Sequence, residues 1–228
     1  MVLLLSILLP TIMPIATSTP SPQEILYGGT VKVSNPTPGS LNPMTIYSVT
    51  EWWHALLIYD RLAVFDANMT AKPWIAYNWT ASPDGLTWTI HLADNVTWHD
   101  GVPFTAEDVK FTYDYIRENS EACALWMDEM EDFASVETPD DYTVVVHLNR
   151  TAAYFATLVL TRVPIIPKHI WKDIWDPSGF ANRPPQGPIG NGPFKLVEFR
   201  PAEYGRFVAN ENYWRGRPYI DGILVRYD

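Results

Sequence analysis

The chain has 228 residues, a formal net charge of −10 and a hydrophobic share of 47%. This length supplies enough apolar material for one large domain or two small ones. The acidic balance excludes a nucleic-acid-binding function, which needs a basic face against the phosphates, and disfavours an anionic membrane surface as a partner. A single cysteine, Cys123, excludes an internal disulfide framework and a cysteine-based zinc cluster.

Residues 1–20 are similar to a signal peptide. Residues 2–16 are almost uninterruptedly apolar, and a run of Thr, Ser and Pro follows them. The apolar run contains Pro10 and Pro14 and is too short for a transmembrane helix, but it fits a secretory h-region. It departs from that pattern in having no Lys or Arg before it, and a buried strand pair is the alternative. The segment predicts an extracytoplasmic location: secreted, cell-surface or periplasmic.

The next stretch combines a short strand, a loop and a helix with two adjacent tryptophans. Residues 30–33 predict a strand, residues 35–43 a Pro-rich loop and residues 51–62 a helix, followed by a strand at 63–65. Trp52 and Trp53 stand at the start of this helix, where a side chain can project into a cleft. Aromatic rings there suit both sugar faces and apolar peptide side chains. Trp53 is interpreted as a packing residue, whereas Trp52 fits packing and ligand stacking equally well.

Residues 84–116 carry the clearest local pattern in the chain. Apolar and polar residues alternate over 86–92, which is typical of a half-buried strand. The dipeptides Asp-Gly at 84–85 and 100–101 predict turns. Thr105 is placed as the N-cap of a helix whose acidic first turn faces the positive end of the helix dipole.

The second half of the chain alternates short strands, helices and turns. Strands are expected at 136–138, 142–148, 194–199, 204–209 and 223–227, and helices at 152–160 and just after 167. The acidic run at 128–132 lacks the alternating ligand spacing of a calcium loop. It is therefore interpreted as a solvated helix face or a helix–loop junction.

Signatures of catalysis or of a bound metal are missing from the sequence. The five histidines are scattered without metal-ligand spacing, and there is no nucleophile elbow, phosphate-binding loop or dinucleotide fingerprint. We therefore predict a protein that is not an enzyme and needs no metal or cofactor. Four Asn-x-Thr triplets permit surface glycosylation in an extracytoplasmic protein, at Asn68, Asn78, Asn95 and Asn149.

The order of motifs resembles one family, the extracytoplasmic solute-binding proteins of peptide/nickel-type ABC importers (family 5). Each motif is weak alone, but eight in this order are specific, and they cover nearly everything from residue 28 onward. They are Ser-Leu-Asn-Pro at 40–43, Ile-Tyr-Asp-Arg-Leu at 58–62, Pro-Trp-Ile-Ala at 73–76, Asp-Gly-Leu-Thr-Trp-Thr-Ile-His-Leu at 84–92, Trp-His-Asp-Gly-Val-Pro-Phe-Thr-Ala-Glu-Asp-Val at 98–109, Ile-Pro-Lys-His at 166–169, Gly-Asn-Gly-Pro-Phe at 190–194 and Asn-Tyr-Trp at 212–214.

The resemblance implies a mixed α/β fold, the periplasmic-binding-protein-like clamshell of type II. By that resemblance, residues 28–58 and 165–228 build lobe I, and residues 59–164 form its inserted subdomain. Family members usually run to about twice this length or more, so we expect the second lobe to lie outside this chain.

The same resemblance implies capture of oligopeptides between the lobes and delivery to the permease subunits of an ABC importer, by a monomer. In peptide-binding relatives the loop after the Ser-Leu-Asn-Pro motif gives backbone hydrogen bonds to an extended ligand, and pockets take its side chains. The glycine turn at 190–192 lines the lobe I side of the cleft. The candidate ligand residues are therefore Tyr47, Ser48, Val49, Thr50, Trp52, Asn191 and Gly192.

Three other functions stay open at this point. An oligosaccharide ligand within the same family is favoured by the aromatic residues Tyr47, Trp52 and Trp53. A non-transport surface or adhesion domain tolerates the glycosylation triplets but does not require the motif order. A secreted hydrolase needs a nucleophile and base, which the sequence does not offer.

Overall fold

A computed structural model describes residues 26–185 and 187–228. The segment similar to a signal peptide, residues 1–20, lies outside the described residues. The strands are β1 (Thr30–Asn35), β2 (Ala63–Phe65), β3 (Ala71–Pro73), β4 (Ala76–Ala81), β5 (Thr87–Leu92), β6 (Phe133–Asp140), β7 (Thr143–Leu148), β8 (Phe194–Arg200), β9 (Tyr204–Ala209) and β10 (Gly222–Tyr227). The helices are α1 (Val49–Ile58), α2 (Ala106–Glu118), α3 (Met127–Met130), α4 (Phe155–Arg162) and α5 (Lys168–Trp171).

The strands form two four-stranded sheets and one small hairpin. The first sheet has the order β1-β10-β9-β8, so it joins the beginning of the described chain to its end, with β1 parallel to β10. The second is antiparallel throughout, has the order β4-β5-β7-β6 and comes from the middle of the chain. Strands β2 and β3 pair separately. The mixed α/β class is confirmed, and no helix in the described ranges is both long and apolar enough to cross a membrane.

The local predictions for residues 84–116 are confirmed. Gly85 and Gly101 have φ values of +71° and +90°, the left-handed conformation that glycine adopts without strain. Asp108 lies in the first turn of α2, and its buried carboxylate accepts the N–H of Thr105 at 3.0 Å. It also accepts the indole N–H of Trp98 at 3.2 Å and the backbone N–H of Lys168 at 2.9 Å. This one acid therefore fixes the helix start against both the preceding turn and α5.

The helix predicted at 51–62 is wrong at both ends. It begins at Val49, because Ser48 accepts the N–H of Glu51 and serves as the N-cap. It ends at Ile58, whose carbonyl accepts the N–H of Gly192 at 2.8 Å. The N–H of Asp60 then donates to the side chain of Asn191 at 2.9 Å. Contacts from a segment more than 130 residues away thus stop the helix.

The acidic run at 128–132 lies at a helix–loop junction, as predicted, but it is not a solvated face throughout. Glu129 and Asp132 are only 2% and 4% exposed. The guanidinium of Arg162 contacts the Glu129 carboxylate at 2.5 Å. The carboxylate of Asp132 accepts hydrogen bonds from Arg150 and from the Tyr154 hydroxyl. Arginine side chains on α4 and before it compensate the two buried carboxylates. The acidic run itself does not indicate these partners, because they lie in a later part of the chain.

Candidate ligand-binding site

An open cavity of about 440 Å³ lies where the start of α1 meets the end of α4. Most of its wall is apolar or aromatic, and the remainder is hydroxyl groups and two guanidinium groups. Four of the predicted ligand residues line it: Tyr47, Ser48, Val49 and Trp52. The other lining side chains belong to Ile46, Arg61, Phe65, Leu125, Trp126, Thr161 and Arg162.

Two tryptophans form the floor of the cavity. Trp126 is fully buried and donates its indole N–H to the carbonyl of Pro43 at 3.1 Å. Trp52 packs on it with ring centroids 5.6 Å apart and an interplanar angle of 41°. Tyr47 and Val49 stand at the rim with 79% and 86% of their surface exposed. Exposed apolar groups around an aromatic recess are a feature of surfaces that bind a ligand or partner.

The loop that carries Tyr47 and Ser48 is held by the carboxylate of Glu51. This side chain is 2% exposed and accepts the N–H groups of Ser40 at 2.9 Å, Tyr47 at 2.8 Å and Ser48 at 3.2 Å. Hydrogen bonds from backbone N–H to a carboxylate are among the strong ones. The loop is therefore pre-ordered, and the N–H groups of Tyr47 and Ser48 are already engaged. The carbonyl oxygen of Tyr47 is the group that this part of the loop can offer to an extended ligand.

Thr50 lies beside the cavity and does not line it. It borders a second recess of about 300 Å³ together with Val33 and Trp53. Its carbonyl oxygen lies 2.7 Å from Nδ1 of His54 and accepts a hydrogen bond from that nitrogen. The ring of Trp53 meets that of His54 edge to face at 5.1 Å. These contacts agree with the interpretation of Trp53 as a packing residue.

Asn191 and Gly192 are buried behind the end of α1, away from the cavity. A Cβ added at Gly192 would lie 2.7 Å from the carbonyl carbon of Ile58, so the turn needs glycine for close backbone approach. Their contacts with Ile58 and Asp60 join the turn to the helix end. The resemblance placed them in the same cleft as Tyr47, but they do not line the cavity that contains Tyr47. Contact between these two residues and a ligand stays a prediction.

Arg61 and Arg162 give the cavity its charge. Arg162 lies at the end of α4 and contacts the buried Glu129 carboxylate, whose pKa is raised above its ordinary value by burial. Arg61 follows the end of α1 and also lines the cavity. Sequence reasoning missed both residues. Arg61 was assigned to a helix that ends before it, and nothing local distinguishes Arg162 from a surface arginine.

The four glycosylation triplets lie on the surface. Their asparagine side chains belong to exposed residues, and none lines the 440 Å³ cavity: Asn68, Asn78, Asn95 and Asn149. Modification of these residues stays a prediction. In the described ranges no three His, Cys, Asp or Glu side chains are grouped in a way that could hold a metal ion.

Comparison with known proteins gives one family and a consistent set of relatives. The family model described as "Bacterial extracellular solute-binding proteins, family 5 Middle" matches residues 70–227. A putative ABC transporter peptide-binding protein of Brucella ovis is 34% identical over 83% of this chain. The nickel-binding periplasmic protein of Escherichia coli is 31% identical over 89% of this chain. The chain spans 35% and 37% of the lengths of these two relatives.

A solved structure extends the similarity to the fold. The oligopeptide-binding protein AppA of Bacillus subtilis, in complex with a nonapeptide, superposes with a TM-score of 0.80 at 26% identity. The match covers 90% of this chain and 41% of the AppA chain. The fold described above is therefore part of a periplasmic-binding-protein fold, as the motif order predicted.

Proposed function

The chain belongs to the bacterial extracellular solute-binding proteins of family 5, and from this membership we propose that it takes part in capturing oligopeptides for an ABC importer. Relatives in this family are transport proteins that bind their solute outside the cytoplasm and are not enzymes. The proposed step is binding without chemistry, followed by delivery to the permease subunits in the membrane.

The observation that carries the proposal is the cavity at the start of α1. Its aromatic floor and apolar rim suit the side chains of a peptide. Its wall includes a loop that Glu51 holds in place before any ligand arrives. A pre-ordered loop lowers the entropy lost on binding, which favours affinity for ligands of varied sequence. The relative solved with a nonapeptide matches 90% of this chain in fold.

We propose the same division of the chain that the motif order implied. Residues 28–58 and 165–228 form lobe I, which contains the sheet β1-β10-β9-β8. Residues 59–164 form its inserted subdomain, which contains the sheet β4-β5-β7-β6. The cavity draws side chains from both parts. Closure of a second lobe over this cavity is the proposed route to a sequestered ligand.

An oligosaccharide is the second candidate ligand. The observation that favours it is the half-buried Trp52 ring beside the exposed Tyr47 ring, since aromatic faces also stack on sugars. Both ligands would pack on the tryptophan rings, but only a peptide would also form main-chain hydrogen bonds with the loop.

Thermal-shift measurements on the complete protein separate the two ligands. We expect pools of random pentapeptides to raise the melting temperature and pools of neutral oligosaccharides to leave it unchanged. Trp52→Ala should lose most of the peptide-induced shift. Trp175→Ala is the matched control, because this side chain is 89% exposed and lies outside the cavity wall. Stabilisation by oligosaccharides alone would contradict the peptide assignment, and turnover of any pool would contradict binding without chemistry.

A further inference from the structure

We propose that the ligand of this cavity presents a carboxylate group to Arg61. This inference rests on the proposed function, because it concerns the same cavity, and it specifies the chemistry of the ligand there. It follows from three features of Arg61: the lack of a hydrogen-bonded partner in the described ranges, its position beside the Trp52 ring and the absence of described acidic side chains from the cavity wall.

The side chain of Arg61 has no hydrogen-bond partner within the described ranges. Its Nε is buried and makes no hydrogen bond to residues 26–185 or 187–228. The charge of the neighbouring Asp60 carboxylate attracts Arg61, but this carboxylate takes its hydrogen bonds from other side chains. It accepts the Tyr213 hydroxyl at 2.9 Å and the Trp214 indole N–H at 2.8 Å. A partly buried guanidinium without a hydrogen-bonded anion is costly for a folded protein, and an anionic group of a ligand would offset that cost.

Arg61 lines the cavity, so its guanidinium is within reach of a bound ligand. Its guanidinium carbon lies 6.0 Å from the centroid of the Trp52 ring, and both side chains line the cavity. A planar guanidinium next to an aromatic face can hold a carboxylate in two parallel hydrogen bonds while the ring packs on the adjoining apolar group. Peptides offer this combination at a C-terminal residue and at an Asp or Glu beside an apolar residue.

The charge of the wall supports the same conclusion. Within residues 26–185 and 187–228, no Asp or Glu lines the cavity, although the protein is rich in acidic residues. The second guanidinium there, Arg162, is already matched by the carboxylate of Glu129 behind it. Arg61 therefore places a positive charge in the wall of a recess that is mostly apolar, opposed by the Coulombic attraction of Asp60 outside that wall. Electrostatic attraction there is stronger than in bulk water. An anionic group on the ligand would neutralise it.

The test compares Arg61 variants with defined anionic and neutral probes, using the complete protein. The variants are Arg61→Met, which removes the charge, and Arg61→Lys, which keeps the charge without the planar fork. Arg226→Met is the matched control, because Arg226 is exposed on β10 and does not line the cavity. The probes are a random pentapeptide pool without Asp or Glu in free-acid and C-amidated forms, an amidated pool that contains Glu, citrate and inorganic phosphate.

For the wild type we expect the free-acid pool to bind about tenfold to a hundredfold more tightly than its amidated form, in line with a bidentate charged pair. Arg61→Met should reduce this ratio to about one, Arg61→Lys should give an intermediate ratio, and Arg226→Met should match the wild type. Tight binding of the amidated pool that contains Glu would show that a side-chain carboxylate can supply the anionic group that Arg61 binds.

Equal binding of the acid and amide pools, or an unchanged ratio in Arg61→Met, would overturn the inference and leave the proposed peptide function intact. Binding of phosphate but of no carboxylate probe would also overturn it. Arg61-dependent binding of citrate without any binding of peptides would refute the peptide function and uphold the carboxylate inference.

Discussion

His99 should make the stability of this protein depend on pH between about 4 and 6.5. The ring joins the turn at 98–103 to the glycine turn that follows residue 189. Its Nε2 lies 3.1 Å from the carbonyl oxygen of Gly192, to which it donates, and Nδ1 accepts the N–H of Gly190 at 3.2 Å. Only a neutral ring has both a donor and an acceptor nitrogen. Protonation of Nδ1 would turn its contact with Gly190 into a repulsion between two N–H groups.

The magnitude follows from the pKa of His99. This pKa is lowered from 6.5 to about 4, chiefly by burial of the ring. The hydrogen bond to Gly192 opposes part of this effect, and the weaker influences are Lys195, which lowers the pKa, and Asp100, which raises it. Between these values the unfolded chain binds a proton that the folded protein does not, so the free energy of unfolding rises with pH. The difference of about 2.5 in pKa corresponds to at most about 3 kcal/mol, present above pH 6.5 and lost as the pH falls towards 4.

Urea unfolding of wild type and His99→Gln at half-unit steps from pH 4 to 7.5 measures this contribution. Glutamine does not titrate, so the difference in unfolding free energy between the two proteins should shrink by about 2 to 3 kcal/mol from the top of the range to the bottom. His147→Gln is the matched control, because this ring lies half-buried on β7 and is not held between the two turns. Parallel curves for wild type and His99→Gln would refute the reasoning.

Two further predictions concern contacts at the two ends of helix α1. Gly190→Ala should destabilise the protein by about 3 kcal/mol or more in urea unfolding, because the added Cβ overlaps the carbonyl oxygen of Ile58. The control is Gly179→Ala, whose added Cβ has its nearest neighbour at 3.4 Å and which should cost less than about 1 kcal/mol. Glu51→Ala should lower the free energy of unfolding by about 3 kcal/mol and weaken ligand binding, since three backbone N–H groups lose a charged acceptor. Equal stability of Gly190→Ala and Gly179→Ala, or undiminished ligand affinity in Glu51→Ala, would contradict these accounts.

Local patterns predicted elements well where neighbouring residues determine the structure. The alternation at 86–92 became β5, and the turn signals with Thr105 located the start of α2. Here the backbone conformation follows from Gly at positive φ and from a carboxylate in the first helical turn, both encoded within a few residues.

Long-range contacts account for what the sequence did not reveal. The end of α1 is set by Gly192 and Asn191, and the burial of Glu129 is set by Arg162 on another helix. The candidate site shows the same limit. Its loop and Trp52 could be identified from motif order, but Arg61 joins the wall only because the helix stops before it.

The central claim, that a ligand occupies the cavity at the start of α1, is tested most directly by amide hydrogen exchange of the complete protein with and without a saturating pentapeptide pool. The account predicts slower exchange over residues 46–53 and 124–127, which carry much of the cavity wall, and unchanged exchange in the strands β4 and β5. Ligand-induced protection elsewhere in the chain, with residues 46–53 unchanged, would contradict it.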